Sequence, residues 1–241
     1  MLNLKLGSMI IPYSIRRSRR AKYVRISVGV DGVQVVAPAF MENQEIIPLV
    51  DNKREWIFQK FESYRQRITQ ISLEREYISG EKLLFLGKNY SLTVQEHEGR
   101  YCSVQLADNQ FLVSINKDIP QEKRREAIRR TLEQWYLGSA KKLFSERLEQ
   151  YTDKISVKVN MVWLKNQKTR WGSCSQKGNL NFNWKLVMAP THIVDYVVVH
   201  ELCHLRQMNH SKEFWKLVGT HIPDYKECRK WLKGNGLKLN L

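Results

Sequence analysis

The strongest constraint on the fold of this chain is a pair of histidines four residues apart, His200 and His204, with Glu201 directly after the first. Positions i and i+4 of an α-helix project from one face about 6 Å apart along the axis, so both imidazoles can bind one metal ion. The adjacent carboxylate can then reach a water on that metal. The residues before the pair are apolar, including the valines at 197–199, and burying two histidines there is costly unless ligation compensates. The pattern predicts a metal site on a buried helix, with two ordinary core histidines as the alternative.

A third ligand must come from outside this helix, because a catalytic zinc ion usually has three protein ligands. His210 lies ten residues after His200, which is the offset of the metzincin pattern HExxHxxGxxH. A straight helix would carry His210 about 15 Å along the axis, so the chain must turn back first. That pattern has glycine where this chain has Gln207, and we expect a left-handed Asn209 and a helix cap at Ser211 to make the turn instead.

Two other residues could supply the third ligand. Asp224 is the second candidate, since a carboxylate from a following helix serves in thermolysin-like sites, and His221 is the third. We rank His210 above both and expect Glu201 to act as the general base. Arg170 and Tyr225 could stabilise an oxyanion, although ordinary surface roles are the simpler interpretation for each.

Charge and cysteine content limit the class of protein. Forty Lys and Arg against 24 Asp and Glu give a net charge of +16, which favours an acidic partner such as nucleic acid. The first 30 residues contain no acidic residue and carry seven cations: Lys5, Arg16, Arg17, Arg19, Arg20, Lys22 and Arg25. No apolar run approaches the roughly 18 residues that span a membrane, and no secretory signal is evident. The four dispersed cysteines are typical of reduced thiols, so we expect a cytoplasmic protein without a membrane partner.

The first half of the chain predicts an α+β scaffold. Two valine-rich segments flank Asp31 and Gly32, a strong two-residue hairpin signal. Residues 42–68 are helical in pattern, and Pro48 predicts a division into two helices. Four short strands separated by Gly and Asn/Asp turns are expected between residues 83 and 115.

The pattern changes near Pro120, which can begin a long helix running towards Tyr151. Strands at 157–164 and 179–186 follow, and then the helix that carries the histidine pair. We therefore expect residues 1–118 to form an N-terminal α+β scaffold with a basic stretch, and residues 119–241 to form a zincin-like metallopeptidase domain with a small antiparallel sheet.

Several segments together resemble a known family, the YgjP-like predicted metal-dependent hydrolases, relatives of the SprT-like zinc metallopeptidases. The segments are RWGSCS at 170–175, NLNFNW at 179–184, DYVVVHELCH at 195–204, NHS at 209–211 and FW at 214–215. The basic stretch at 16–20, Trp56-Ile57 and Leu86-Gly87 extend the likeness to nearly the whole chain. The resemblance implies a compact gluzincin-like fold with His200, His204 and His210 as ligands and Glu201 as catalyst. It supplies no secure substrate.

These observations predict a zinc-dependent hydrolase with one zinc ion, or another divalent ion in its place. We expect a metallopeptidase that cleaves peptide bonds in a peptide or protein substrate with a metal-activated water. One alternative is a phosphoanhydride hydrolase acting on nucleotides. The other is a nucleic-acid-associated protease recruited through its basic surface.

The strand at 179–184 suggests how a peptide could meet the site. Asn179, Asn181 and Asn183 alternate with three apolar residues, which is typical of a partly exposed strand. If this strand forms a sheet edge beside the metal, an extended peptide could add to it as another strand. The expectation fails if the strand lies between two others.

Overall fold

In the computed structural model, the chain divides into two units, Met1–Glu74 and Arg75–Leu241. The structure describes residues 2–7, 9–29, 32–71, 75–167 and 170–241, and the side chains of the second helix as far as residue 63. The boundary that we expected after residue 118 falls inside the second unit.

The first unit is a four-stranded sheet backed by two helices. Its elements are β1 (Leu2–Leu6), β2 (Met9–Ser18), β3 (Arg25–Gly29), β4 (Gly32–Pro38), α1 (Asn43–Asp51) and α2 (Arg54–Ile71). The strand order is β1-β2-β4-β3: two antiparallel hairpins are joined by a parallel pairing of β2 with β4. Val33 and Val35 on the inner face are buried with Ile46 and Ile57 of the helices. The expected strands on either side of Asp31 and Gly32 are confirmed, while Asp31 itself lies outside the described residues.

Two features of this unit differ from expectation. The sequence analysis did not predict β1 and β2, and Pro12 is unusual in a strand that has a neighbour on both sides. Pro12 is tolerated because it pairs only with Asn3 of β1, and the parallel pairing with β4 begins one residue later at Tyr13. The two expected helices are present, but Pro48 lies inside α1, and the break comes at Asn52 and Lys53.

The second unit begins with a sheet of the same connectivity. Strands β5 (Lys82–Phe85), β6 (Lys88–His97), β7 (Ser103–Ala107) and β8 (Gln110–Asn116) have the order β5-β6-β8-β7, again with two antiparallel hairpins joined by a parallel pair. Helix α3 (Gln121–Ile155) shares one hydrophobic core with this sheet, in which Phe111 and Val113 are buried with Leu132 and Tyr136. The sheet and α3 therefore belong to one unit, which is why no boundary falls between them.

A third sheet and three helices complete this unit. The elements are β9 (Met161–Lys165), β10 (Gly172–Cys174), β11 (Asn179–Asn183), α4 (Thr191–Cys203), α5 (Lys212–His221) and α6 (Tyr225–Asn235). The strand order is β10-β11-β9; β11 is antiparallel to β10 and parallel to β9, so the sheet is mixed and not antiparallel as expected. The described part of the chain is thus α+β with three small sheets. No helix in the described ranges is long and apolar enough to cross a membrane.

The start of α4 is fixed by the turn between β5 and β6. The backbone N–H groups of Leu86 and Gly87 donate to the carbonyls of Val187 and Met188, at 2.9 and 3.0 Å, in the short 3₁₀ helix before α4. Gly87 has a φ of +79°, and a Cβ there would lie 2.7 Å from Cγ of Pro190. Only glycine allows the backbone at this position to lie so close to Pro190. This contact positions the buried helix that carries the histidine pair.

Candidate metal centre

The histidine pair lies at the carboxyl end of α4. The valines at 197–199 are buried, as the apolar pattern predicted, while His200 is half-buried and His204 is 8% exposed. The two imidazole rings are 4.9 Å apart between centroids and nearly perpendicular. Since α4 ends at Cys203 and His204 is its C-cap, the chain is free to turn immediately after the pair.

Gln207, which occupies the glycine position of the metzincin pattern, closes this turn through hydrogen bonds of its backbone and its side chain. Its backbone N–H donates to the Cys203 carbonyl at 2.9 Å, its carbonyl lies 3.1 Å from Nδ1 of His204, and its side-chain amide donates to Oγ of Ser211 at 3.1 Å. Ser211 caps α5 as expected. Asn209 does not adopt the left-handed conformation that we expected, because hydrogen bonds from Gln207 hold the turn instead.

The turn brings His210 back to the pair. Candidate ligand atoms of His200, His204 and His210 all lie within 4.8 Å of one another, and Nε2 of His200 is 3.1 Å from Nε2 of His210. Two nitrogens bound at 2.0–2.1 Å to a tetrahedral zinc ion are about 3.3 Å apart, so the spacing of His200 and His210 matches that of two zinc ligands, and a ligand atom of His204 lies within 4.8 Å of both. Neither Asp224 nor His221 belongs to this group.

The protonation of the pair also suits a metal. Nδ1–H of His204 can donate to the Gln207 carbonyl, which leaves the Nε2 lone pair free for a ligand. Burial lowers the pKa of His204, against the opposing effect of that hydrogen bond. Burial, followed by repulsion from the protonated forms of His204 and His210 and from Arg229, lowers the pKa of His200 to about 3. Both rings are therefore neutral at pH 7, as imidazole ligands must be.

Aromatic rings of α5 and α6 support the histidines. Phe214 stacks on His204 with centroids 4.5 Å apart, and Trp215 stacks on His210 at 5.5 Å. Tyr225 stacks on Trp215 in turn, at 5.1 Å. Because His210 is exposed, the Trp215 ring is a main constraint on its orientation. This role was not predicted from the sequence, since an aromatic pair on a short helix usually belongs to the hydrophobic core.

Glu201 packs directly against β10. The residue is only 5% exposed, and a Cβ added at Gly172 would lie 2.6 Å from its Oε1. Burial raises the pKa of Glu201 to about 8, with the nearby charge of Arg170 opposing the shift. A divalent cation held by the histidines would also oppose it, because positive charge favours the carboxylate. Burial and then the Glu201 charge raise the pKa of Cys174 on the same strand to about 11.

The expected peptide-binding edge is not at β11. That strand lies between β9 and β10, so the expectation for Asn179, Asn181 and Asn183 was wrong: alternation identifies the two faces of a strand but not its neighbours. The edge strand beside Glu201 is β10. Its flanking residues bond to β11: the Trp171 carbonyl accepts from Asn183 N–H at 2.8 Å, and Ser175 N–H donates to Asn179.

Because backbone groups alternate in direction along a strand, N–H and C=O of Gly172 and Cys174 point away from β11. No strand among the described residues pairs with that edge.

The chain is similar to a known family and to one solved structure. The family described as YgjP-like, metallopeptidase domain, matches residues 22–235. The crystal structure of the metallopeptidase zymogen of Pyrococcus abyssi abylysin is similar over 37% of this chain and 93% of that chain, with 24% identity and a TM-score of 0.35. No curated protein matches the chain. The family match covers most of the sequence, including all three histidines and Glu201, and the chain therefore belongs to the YgjP-like metallopeptidase family.

Proposed function

We propose that this protein is a zinc-dependent metallopeptidase in which His200, His204 and His210 hold the metal and Glu201 is the general base. The observation that carries the proposal is the convergence of three imidazoles within 4.8 Å, from a helix end and from the turn that follows it. The donor set supports zinc, because three neutral imidazoles suit a borderline-soft ion and leave one position open.

When bound, zinc supplies Lewis acidity, which polarises a scissile carbonyl and makes water an effective nucleophile at neutral pH. The protein's own residues determine how that acidity is used. Glu201 would accept the proton of the attacking water at its carboxylate and pass it to the leaving amine. Its burial against Gly172 fixes the carboxylate and limits competing solvent, and its raised pKa suits a group that must both take up and release a proton near neutral pH.

The substrate backbone would pair with β10. An extended peptide on this edge could bond to the outward N–H and C=O groups of Gly172 and Cys174, which places it alongside Glu201. Such pairing gives affinity without strong sequence preference. Proline at Cys174 would remove one outward N–H while sparing the pairing with β11. We expect Cys174→Pro to raise KM for peptides well above that of the control Cys174→Ala. Equal KM values for the two variants would contradict docking on this edge.

The decisive experiment is to measure metal content and then activity against both peptides and nucleotides. Wild type and Glu201→Gln should each bind about one zinc ion, and Glu201→Gln should lose most peptide cleavage, because an amide cannot accept the proton. His204→Ala should lose the metal. Full turnover by Glu201→Gln would contradict the general-base role. Metal-dependent release of pyrophosphate from nucleotides, without peptide cleavage, would replace the peptidase by a phosphoanhydride hydrolase.

A further inference from the structure

The outer face of the sheet in the first unit carries cations in register. Arg16 of β2 and Arg25 of β3 each pair with Val36 of the strand between them. Directly paired residues point to the same face of a sheet, so both guanidinium groups lie on the face opposite the buried Val35. The strands are about 4.8 Å apart, which places the two arginines roughly 10 Å from each other across the sheet.

The connection from β2 to β3 adds to this face. It begins with a turn at Ser18, whose carbonyl accepts from Ala21 N–H at 3.2 Å and whose Oγ accepts from Arg20 N–H at 3.3 Å. The connection and the sheet together border a solvent-open hollow of about 590 Å³, the basic hollow. Its lining includes four cations, an aromatic ring and an apolar floor: Arg16, Arg20, Lys22, Arg25, Tyr23 and Val36.

The four cations of the basic hollow are exposed and form no ion pair with a described residue. By contrast, Arg17 bonds to the Met41 carbonyl and, at 2.8 Å, to Oδ1 of Asn43, so it serves the fold. Tyr23 is 82% exposed, although a phenol ring gains free energy when it is covered. Four unpaired cations around a solvent-facing ring form a surface that is complementary to an anion carrying a flat apolar group.

We propose that the basic hollow binds single-stranded nucleic acid, with backbone phosphates on the four cations and one base stacked on Tyr23. Grooves for single strands combine a cationic track with exposed aromatic rings, and stacking requires a base face that a duplex does not offer. The rest of the face favours this occupant over lipid, because Ser14, Gln34 and Ser27 form the adjacent polar row across the same strands. The inference does not depend on the metal centre, which lies in the other unit.

The test measures binding of the full-length protein to a fluorescent oligonucleotide of about 15 bases by anisotropy, from 50 to 200 mM salt. A variant with Arg16, Arg20, Lys22 and Arg25 all changed to Gln should bind at least tenfold more weakly at physiological salt. Its salt dependence should flatten by up to about 3 in log–log slope, since each phosphate contact on a single strand contributes about 0.7. A control that removes the same charge elsewhere, Lys53, Lys60, Lys141 and Lys142 to Gln, should bind like wild type.

Substitutions of Tyr23 distinguish base stacking from a general electrostatic attraction to anions. Tyr23→Ala should weaken binding by about 5- to 100-fold, whereas Tyr23→Phe should retain it. Equal affinity for a duplex of the same sequence would indicate attraction to any polyanion, and equal affinity for anionic vesicles would indicate that the surface binds lipid. Either result would overturn the proposal. Wild-type affinity of the quadruple variant for the oligonucleotide would overturn it too. Peptide cleavage should be unchanged in all these variants, so a failure here is distinguishable from a failure of the proposed peptidase.

Discussion

Replacing Gly172 with alanine tests whether the position of the Glu201 carboxylate limits turnover. The new Cβ would lie 2.6 Å from Oε1, 2.7 Å from Cγ and 2.9 Å from Cδ of Glu201. Restoring ordinary contact at about 3.4 Å requires a displacement of about 0.8 Å, and a misplacement of about 1 Å can cost 100-fold in rate. Gly172 does not have a positive φ, so alanine causes no backbone strain. We therefore expect kcat to fall by about 10- to 100-fold.

The assay compares cleavage of a quenched peptide library by wild type and Gly172→Ala, with metal content measured in parallel. Zinc stoichiometry should stay near one, because the change does not touch the histidines. Overpacking should lower the free energy of unfolding by about 1–3 kcal/mol. Gly138→Ala is the control: apart from the neighbouring backbone of α3 itself, no atom of the described residues lies within 4 Å of the added Cβ, so the change should stabilise the helix by about 0.5–1 kcal/mol and leave kcat unchanged.

A double variant sharpens the test. In a Glu201→Gln background, where the general base is already absent, Gly172→Ala should have little further effect on the residual rate. The reasoning is refuted if Gly172→Ala keeps wild-type kcat, or if it slows both backgrounds equally.

Three further predictions concern the metal centre. Removing the metal with a chelator should lower Tm by about 5–10 °C in scanning fluorimetry, because free zinc at 100 times Kd stabilises the folded state by about 2.7 kcal/mol; an unchanged Tm would argue against a site formed only in the folded protein. Trp215→Ala should weaken metal affinity by about 10- to 100-fold in competition with a chromogenic chelator, because it removes the ring stacked on His210, and Trp215→Phe should recover part of the loss. Because the pKa of Glu201 is raised to about 8, the metal-free protein should become less stable as pH rises. The folded protein binds the Glu201 proton more tightly than the unfolded chain does. The contribution of this proton to the free energy of unfolding is therefore complete below about pH 4.5 and is lost as pH rises through 8. Between pH 6 and 9 wild type should lose about 2–3 kcal/mol relative to Glu201→Gln in urea unfolding, and parallel pH profiles for the two proteins would contradict the buried acid.

Much of the candidate site could be predicted from local sequence signals. The i, i+4 spacing of His200 and His204 predicted that both side chains lie on one helical face, and the apolar run before them predicted a buried helix. The spacing of His210 and the capping preference of Ser211 predicted a chain reversal followed by a new helix. Such structural predictions succeed because helix caps and helical faces are determined by hydrogen bonds and side-chain directions within a few residues. The roles of the three histidines and Glu201 in binding and catalysis stay predictions until metal and activity are measured.

The features that the sequence missed depend on contacts between distant segments. Period-2 alternation correctly placed Leu180 and Phe182 on the buried face of β11, yet it could not show that β9 and β10 flank that strand. The boundary after residue 118 failed for a similar reason, since only packing reveals that α3 shares a core with the sheet before it.

The same distinction applies to function. By itself the sequence determined which side chains are available and which of them lie near one another along the chain: two histidines and a glutamate on one helix, and a run of cations without acids. Only the tertiary structure decided that Gly172 packs closely against Glu201, and that Arg16 and Arg25, on separate strands, lie on one face of a sheet. The physical reason is that strand pairing and helix packing are cooperative choices among many distant partners, whereas spacing and caps are settled within a few residues.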